Sequence, residues 1–137
     1  MSVAYRKPLP VVDSRNRPYW EALRRHELRL PRCAACGTLR FAPFRHCPAC
    51  GSEDTEWPQL SGRGTIWSRA IFHQVYFEGF RDEAPYNVVL VQLDEGVKLY
   101  SNIVGADNAE IRIGRRVEAC FDDVTPEVTL LKFRLVD

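Results

Sequence analysis

A chain of 137 residues with 45% apolar and 27% charged residues has the make-up of one soluble domain or two small modules. Its net charge of +1 excludes binding driven by bulk charge alone, and no apolar run nears the ~18 residues that span a bilayer. The first twenty residues, MSVAYRKPLPVVDSRNRPYW, hold no secretory h-region, so the sequence predicts a cytoplasmic protein with no membrane span.

The charge is unevenly spread. Met1 to Pro58 carries ten Lys and Arg against six Asp and Glu, and Gln59 to Asp137 carries nine against twelve. Five cysteines are present, four of them in two C-x-x-C pairs. An odd count with paired spacing points to metal in a reducing compartment and away from a disulfide framework.

Taken in chain order, residues 1–17 read as an extended arm, with a frayed tail as the alternative. RPYWEALRRHEL (17–28) reads as a short helix. Pro18 suits its first turn, and Tyr19, Trp20, Leu23 and Leu28 form an incomplete apolar stripe. So short a helix must dock, and Trp20 packing on the protein's own body is favoured over Trp20 packing on a partner. Leu28 and Leu30 alternate into the first cysteine pair and Leu39 and Phe41 alternate out of it, predicting two short strands around a knuckle. Gly37 and Gly51 each follow the second cysteine of a pair, where a tight turn needs positive φ.

LSGRGTIWSRAIFHQVYF (60–77) reads as one long strand, with Gly62 and Gly64 marking a bulge or bend at its start. EGFRDEAP is a loop. YNVVLVQLDEGVKLYSNIVG reads as two strands joined at Asp94-Glu95-Gly96, and ADNAEIRIG as a connector with one helical turn. RRVEACFDDV and TLLKFRLVD are two more strands around Thr125-Pro126-Glu127. The fold class is mainly β: an N-terminal helix, a zinc ribbon and a five-stranded OB-fold barrel, with a plain meander as the alternative topology. The expected divisions are an arm and helical hook at 1–30, the ribbon at 31–58 and the barrel at 59–137.

Cys33, Cys36, Cys47 and Cys50 have zinc-ribbon spacing. Each C-x-x-C turn offers two sulfurs to one ion, and four thiolates make a closed, structural site for zinc, or for iron in the same cage. Catalytic signals are weak. His26, His46 and His73 belong to no recognisable signature, Cys120 reads as a core cysteine, His73 as a barrel histidine, and Arg115-Arg116 as solvated charge. A nucleic-acid reading needs a basic groove beside stacking aromatics. The C-terminal half supplies aromatics but carries the acidic balance, which disfavours it.

PYWEALRRHELRLPRCAACGTLRFAPFRHCPACGS, EWPQLSGRGTIWSRAIFHQ, APYNVVLVQLDEGVKLYSNIVG and IRIGRRVEACFDD, in that order, resemble the zinc-ribbon/OB-fold family long filed as a domain of unknown function and associated with thiolase-like acyl-CoA enzymes. The resemblance spans residues 17–135. It implies a rubredoxin-like ribbon with ligands Cys33, Cys36, Cys47 and Cys50, and no catalytic residue. It further implies an accessory subunit that binds a thiolase, a lipid-transfer-type thiolase or a related enzyme and helps bind or present an acyl-CoA thioester. Tyr19, Trp20, Phe72, His73, Pro85 and Tyr86 are the candidates for a partner or acyl-CoA surface, each with core packing as its plain alternative. The rival functions are a single-stranded nucleic-acid-binding module and an independent enzyme using His73 or Cys120.

Overall fold

The computed structural model describes residues 5–41 and 45–136. The start of the predicted arm and the middle of the stretch between the two cysteine pairs lie outside those residues. In chain order the elements are helix α1 (Arg17–Arg24), strands β1 (Arg32–Cys33), β2 (Thr55–Glu56) and β3 (Arg63–Phe72), a 3-10 helix (Glu78–Glu83), β4 (Tyr86–Leu93), β5 (Lys98–Ser101), a 3-10 turn (Asn108–Glu110), β6 (Arg116–Asp123) and β7 (Thr129–Leu135). β1 and β2 form a two-stranded ribbon, and the other five strands make one sheet in the order β5-β4-β3-β6-β7.

That sheet curls until its two ends meet. The stretch after β5 forms a parallel bridge from Ile103 to Phe133 of β7, with Phe133 N–H donating to Asn102 O at 3.0 Å and Val104 N–H to Phe133 O at 2.9 Å. A meander of three strands closed through a parallel pairing onto the last strand is the OB arrangement. Asn87 pins the closure from β4. Its Nδ2 donates to Ile103 O at 2.9 Å and its Oδ1 accepts from Ile103 N–H at 2.7 Å. Asp94, in the hairpin turn after β4, is held by two bonds from Arg116 at 2.7 and 2.9 Å, which tie the turn to β6.

The core is continuous from hook to barrel. Leu23, Leu28 and Leu30 pack with Leu60, Ile66, Val89, Val91, Leu99, Val117 and Phe133 in one cluster, with Tyr19 and Trp20 half-buried against it. β4 alternates as a sheet strand should, with Asn87, Val89, Val91 and Leu93 buried inside the barrel. Its outward residues are Tyr86, Val88, Leu90 and Gln92, so three of the four positions facing away from the core are also apolar.

Several expectations need correction. Helix α1 ends at Arg24, because the chain turns sharply through His26 at φ 61 and delivers Leu28 to the core by an irregular path. The strands expected around the knuckle reduce to β1 and to single bridges, Arg29 to Gln59 and Arg32 to Leu39. The long strand stops at Phe72, so His73 is an exposed loop residue rather than a barrel histidine. The expected EGFRDEAP loop winds its first six residues into the 3-10 helix. The irregularity of β3 lies at Trp67, between Ile66 and Ser68, not at the glycines. Gly64 is needed for another reason: a Cβ there would lie 2.5 Å from Gln92 O. Cys120 is half-buried on β6 rather than fully in the core, and burial raises its thiol pKa.

Candidate metal centre and docking surfaces

The ribbon brings the four cysteine sulfurs together from two turns. Gly37 and Gly51 close those turns at φ 80, their N–H groups donating to Cys33 O and Cys47 O, both at 2.8 Å. All four sulfurs lie within 4.8 Å of one another. Cys33 and Cys50 are 3.5 Å apart and Cys36 and Cys47 3.7 Å apart. Four sulfurs around zinc at the usual bond length of about 2.3 Å stand roughly 3.8 Å apart, so the cage fits the ion. Backbone N–H groups already point at the sulfurs, from Cys36 to Cys33 Sγ and from Ala49 to Cys47 Sγ, both at 3.4 Å.

The thiol electrostatics agree. Hydrogen bonds from the Thr38 hydroxyl and backbone bring Cys36 down to about 6, and the Cys36 N–H lowers Cys33. Cys50 is pushed up to about 12: the Ser52 N–H lowers it, but the neighbouring sulfurs of Cys33 and Cys36 together outweigh that bond. Sulfurs this close cannot all ionise without a cation among them. Zinc held by all four thiolates has no open position, so its role is structural. His46 lies outside the cage, 3.5 Å from Glu53.

The six predicted surface residues fall into two groups. Tyr19 and Trp20 meet edge to face at 5.0 Å, and Tyr19 reaches Phe41 at 6.1 Å. With Trp57 they line a groove of about 160 Å3, and burial raises the Tyr19 hydroxyl pKa. Phe72 and Tyr86 face each other across β3 and β4 at 5.4 Å, and Pro85 and His73 adjoin their ends. Around this second pair the structure adds residues that the sequence did not single out. Phe80 stacks on Tyr86 at 5.1 Å and Tyr76 meets Phe72 at 6.2 Å. Tyr100 stands opposite Leu90 in the ladder and is 69% exposed. Tyr76, Phe77, Phe80, Tyr86, Val88 and Tyr100 line an apolar hollow of about 390 Å3 on the outside of the barrel. Trp67, 52% exposed, lies at its bulge beneath the ammonium of Lys98. Strict alternation across β4 and β5 was the signal for Val88, Leu90 and Tyr100, whereas Phe80 came from a stretch read as loop.

The histidines and the lone cysteine are dispersed. His26 Nε2 lies 3.0 Å from Asp123, whose other bond comes from Thr129, and its ring stacks on Phe121. These two bonds lower the Asp123 carboxyl, Thr129 contributing most. His46 is at the ribbon, His73 lies beyond β3 and Cys120 is on β6.

Two family models match in tandem: the rubredoxin-like zinc ribbon domain of ChsH2 over residues 20–56 and the C-terminal OB-fold domain of ChsH2 over residues 57–122. A DUF35 domain-containing scaffold protein of Methanothermobacter thermautotrophicus is 36% identical over 104 residues, covering 75% of this chain and 77% of the relative. The chain belongs to the DUF35 family. Among solved structures, a chain of the Ltp2-ChsH2(DUF35) aldolase superposes on this DUF35 chain with a TM-score of 0.84 at 37% identity, covering 93% of this chain and 98% of the other. A probable enoyl-CoA hydratase alpha subunit of Thermomonospora curvata is 38% identical over 128 residues. This DUF35 chain spans only 40% of that relative's length, though the match takes in 93% of its own. Among the described residues, no helix is long and apolar enough to cross a membrane.

Proposed function

We propose that this chain is a non-catalytic accessory subunit. It assembles in the cytoplasm with an enzyme that acts on CoA esters, of the thiolase-like or lipid-transfer-type thiolase class, and helps hold the CoA ester. The observation that carries this reading is the outer face of the barrel. β4 is mostly apolar on both sides, and its outward residues continue into the exposed aromatics Tyr76, Phe77 and Tyr100. Apolar patches of this kind on soluble proteins mark interaction sites. A closed four-thiolate cage and dispersed histidines suit a scaffold better than a catalyst. The scaffold name of the archaeal relative, the aldolase complex and the hydratase alpha subunit support the same role.

The test is affinity capture of the tagged chain from the cells that make it, followed by assay of the captured material on CoA esters. Activity should require a second polypeptide and should be absent from the purified chain. Turnover by the purified chain alone, lost in His73→Ala or Cys120→Ala, would assign catalysis to this protein instead.

A further inference from the structure

A third cavity, of about 270 Å3, opens between the N-terminal arm, the start of α1 and the ribbon. Its chemistry is opposite to that of the barrel hollow. Among the described residues that line it are three arginines, Arg15, Arg40 and Arg45, and one acidic residue, Glu53. Glu53 is engaged by Arg45 at 2.9 Å. Arg40 is only 6% exposed, and its Nη2 donates to the Thr55 hydroxyl at 2.9 Å. It therefore forms a fixed positive charge at the back of the cleft, while Arg15 and Arg45 are exposed at its mouth. Three arginines against Glu53 leave an excess of like charge around one hollow, and partial burial strengthens its pull on a further anion. The basic excess of the first 58 residues adds a field of the same sign.

The cationic cleft adjoins the groove of Tyr19, Trp20 and Phe41, and Pro31 and Trp57 line both. A guanidinium-lined half and an aromatic half thus meet at one tryptophan. Guanidinium groups select phosphate by charge and by paired N–H donors. Flat aromatic walls take a ring by stacking.

We infer that this composite cleft binds a phosphorylated nucleoside, with the phosphate between Arg15 and Arg45 in front of Arg40 and the base against Trp57. The inference deepens the proposed function and rests on it in one respect: the natural source of the group would be the 3′-phosphoadenosine end of a CoA ester. It places that end on the hook and ribbon, apart from the aromatic face of the barrel, and gives the metal a task. Zinc would fix the ribbon wall that carries Arg40, Arg45 and Thr55.

The test uses the zinc-loaded full chain titrated with adenosine 3′,5′-bisphosphate, adenosine and inorganic phosphate, read by calorimetry and tryptophan fluorescence. The bisphosphate should bind more tightly than either fragment and weaken with added salt. The double variant Arg15→Gln/Arg45→Gln alters two exposed side chains, so it should keep the fold. It should weaken bisphosphate binding about tenfold or more, because two charge-assisted contacts to the phosphate would be lost. An unchanged affinity in that variant, or no binding at millimolar bisphosphate, overturns the inference. Inorganic phosphate binding as tightly as the bisphosphate also overturns it, since the aromatic half would then contribute nothing. A thymidine oligonucleotide that outcompetes the bisphosphate would assign the cleft to nucleic acid and likewise overturn it. Capture of a CoA-ester enzyme beside an unaffected double variant leaves the proposed function standing and removes the cleft. Bisphosphate binding lost in the variant, with no such enzyme captured, does the reverse.

Discussion

Asn87 offers a sharp test of how the barrel is closed. Its side chain bonds both the N–H and the C=O of Ile103, at 2.7 and 2.9 Å, and both residues are buried. Asn87→Leu keeps a similar volume but can make neither bond. The two Ile103 backbone groups would then be buried without these partners, at about 1–3 kcal/mol each, a total of roughly 2–6 kcal/mol. For a chain of this size each kcal/mol lowers the melting temperature by roughly 3–5 °C, so the loss should fall between about 6 and 30 °C. Thermal unfolding followed by circular dichroism measures it directly. Asn108→Ala serves as the control, because Asn108 makes one longer bond, to Pro85 O at 3.2 Å, and should shift the midpoint by only a few degrees. An Asn87→Leu protein that melts within about 2 °C of the parent would show that Asn87 does not carry the closure, and the link between β4 and the Ile103–Phe133 bridge would have to be abandoned.

Other perturbations follow from the same geometry. Cys36→Ser should lower bound zinc to well below one ion per chain and loosen the ribbon. The barrel should remain folded, because the cysteines lie outside its apolar cluster; metal analysis and hydrogen exchange would report this, and a fully stable metal-free variant would contradict it. Gly64→Ala drives a Cβ to 2.5 Å from Gln92 O and 2.9 Å from Val91 Cγ1, so it should cost about 1–3 kcal/mol in urea denaturation. The Asp123 carboxyl is lowered by Thr129 and His26. Its contribution to stability is therefore present above its unfolded value near 3.9 and is lost as pH falls through the lower folded value. Asp123→Asn should flatten that acid limb in a pH series of unfolding curves, and an unchanged limb would count against the link between hook and barrel.

Much of this architecture was legible because its signals are local. The cysteine spacing set the cage, the turn at Asp94-Glu95-Gly96 set the hairpin, and the alternation of Val89, Val91 and Leu93 set the inner face of β4. What was not legible depends on distant neighbours. The extent of β3 after Phe72 is decided by its pairing with Tyr86 and by the path of the following 3-10 helix, not by the apolar character of Val75, Tyr76 and Phe77. His26 takes a left-handed conformation because Leu28 must return to the core, and no local propensity announces that. The predicted surface residues shared a chemistry, but only the fold separates Tyr19 and Trp20 from Phe72 and Tyr86 and surrounds each pair with Trp57, Phe80 or Tyr100. The arginine cleft was the hardest to see, since Arg15, Arg40 and Arg45 come from the arm, the ribbon and the knuckle, and read singly as solvated charge.

The central claim is that this chain works as a subunit, and the native mass of its assembly tests that most directly. Tagged at its natural abundance and captured in moderate salt, the protein should appear in native mass spectrometry at a fixed ratio with an enzyme that acts on CoA esters. The assembly should dissociate when Tyr100 and Val88, on the outer face of the barrel, are both replaced by Asp. A species at the 15.8 kDa of the lone chain, or one whose extra mass is nucleic acid, would contradict it.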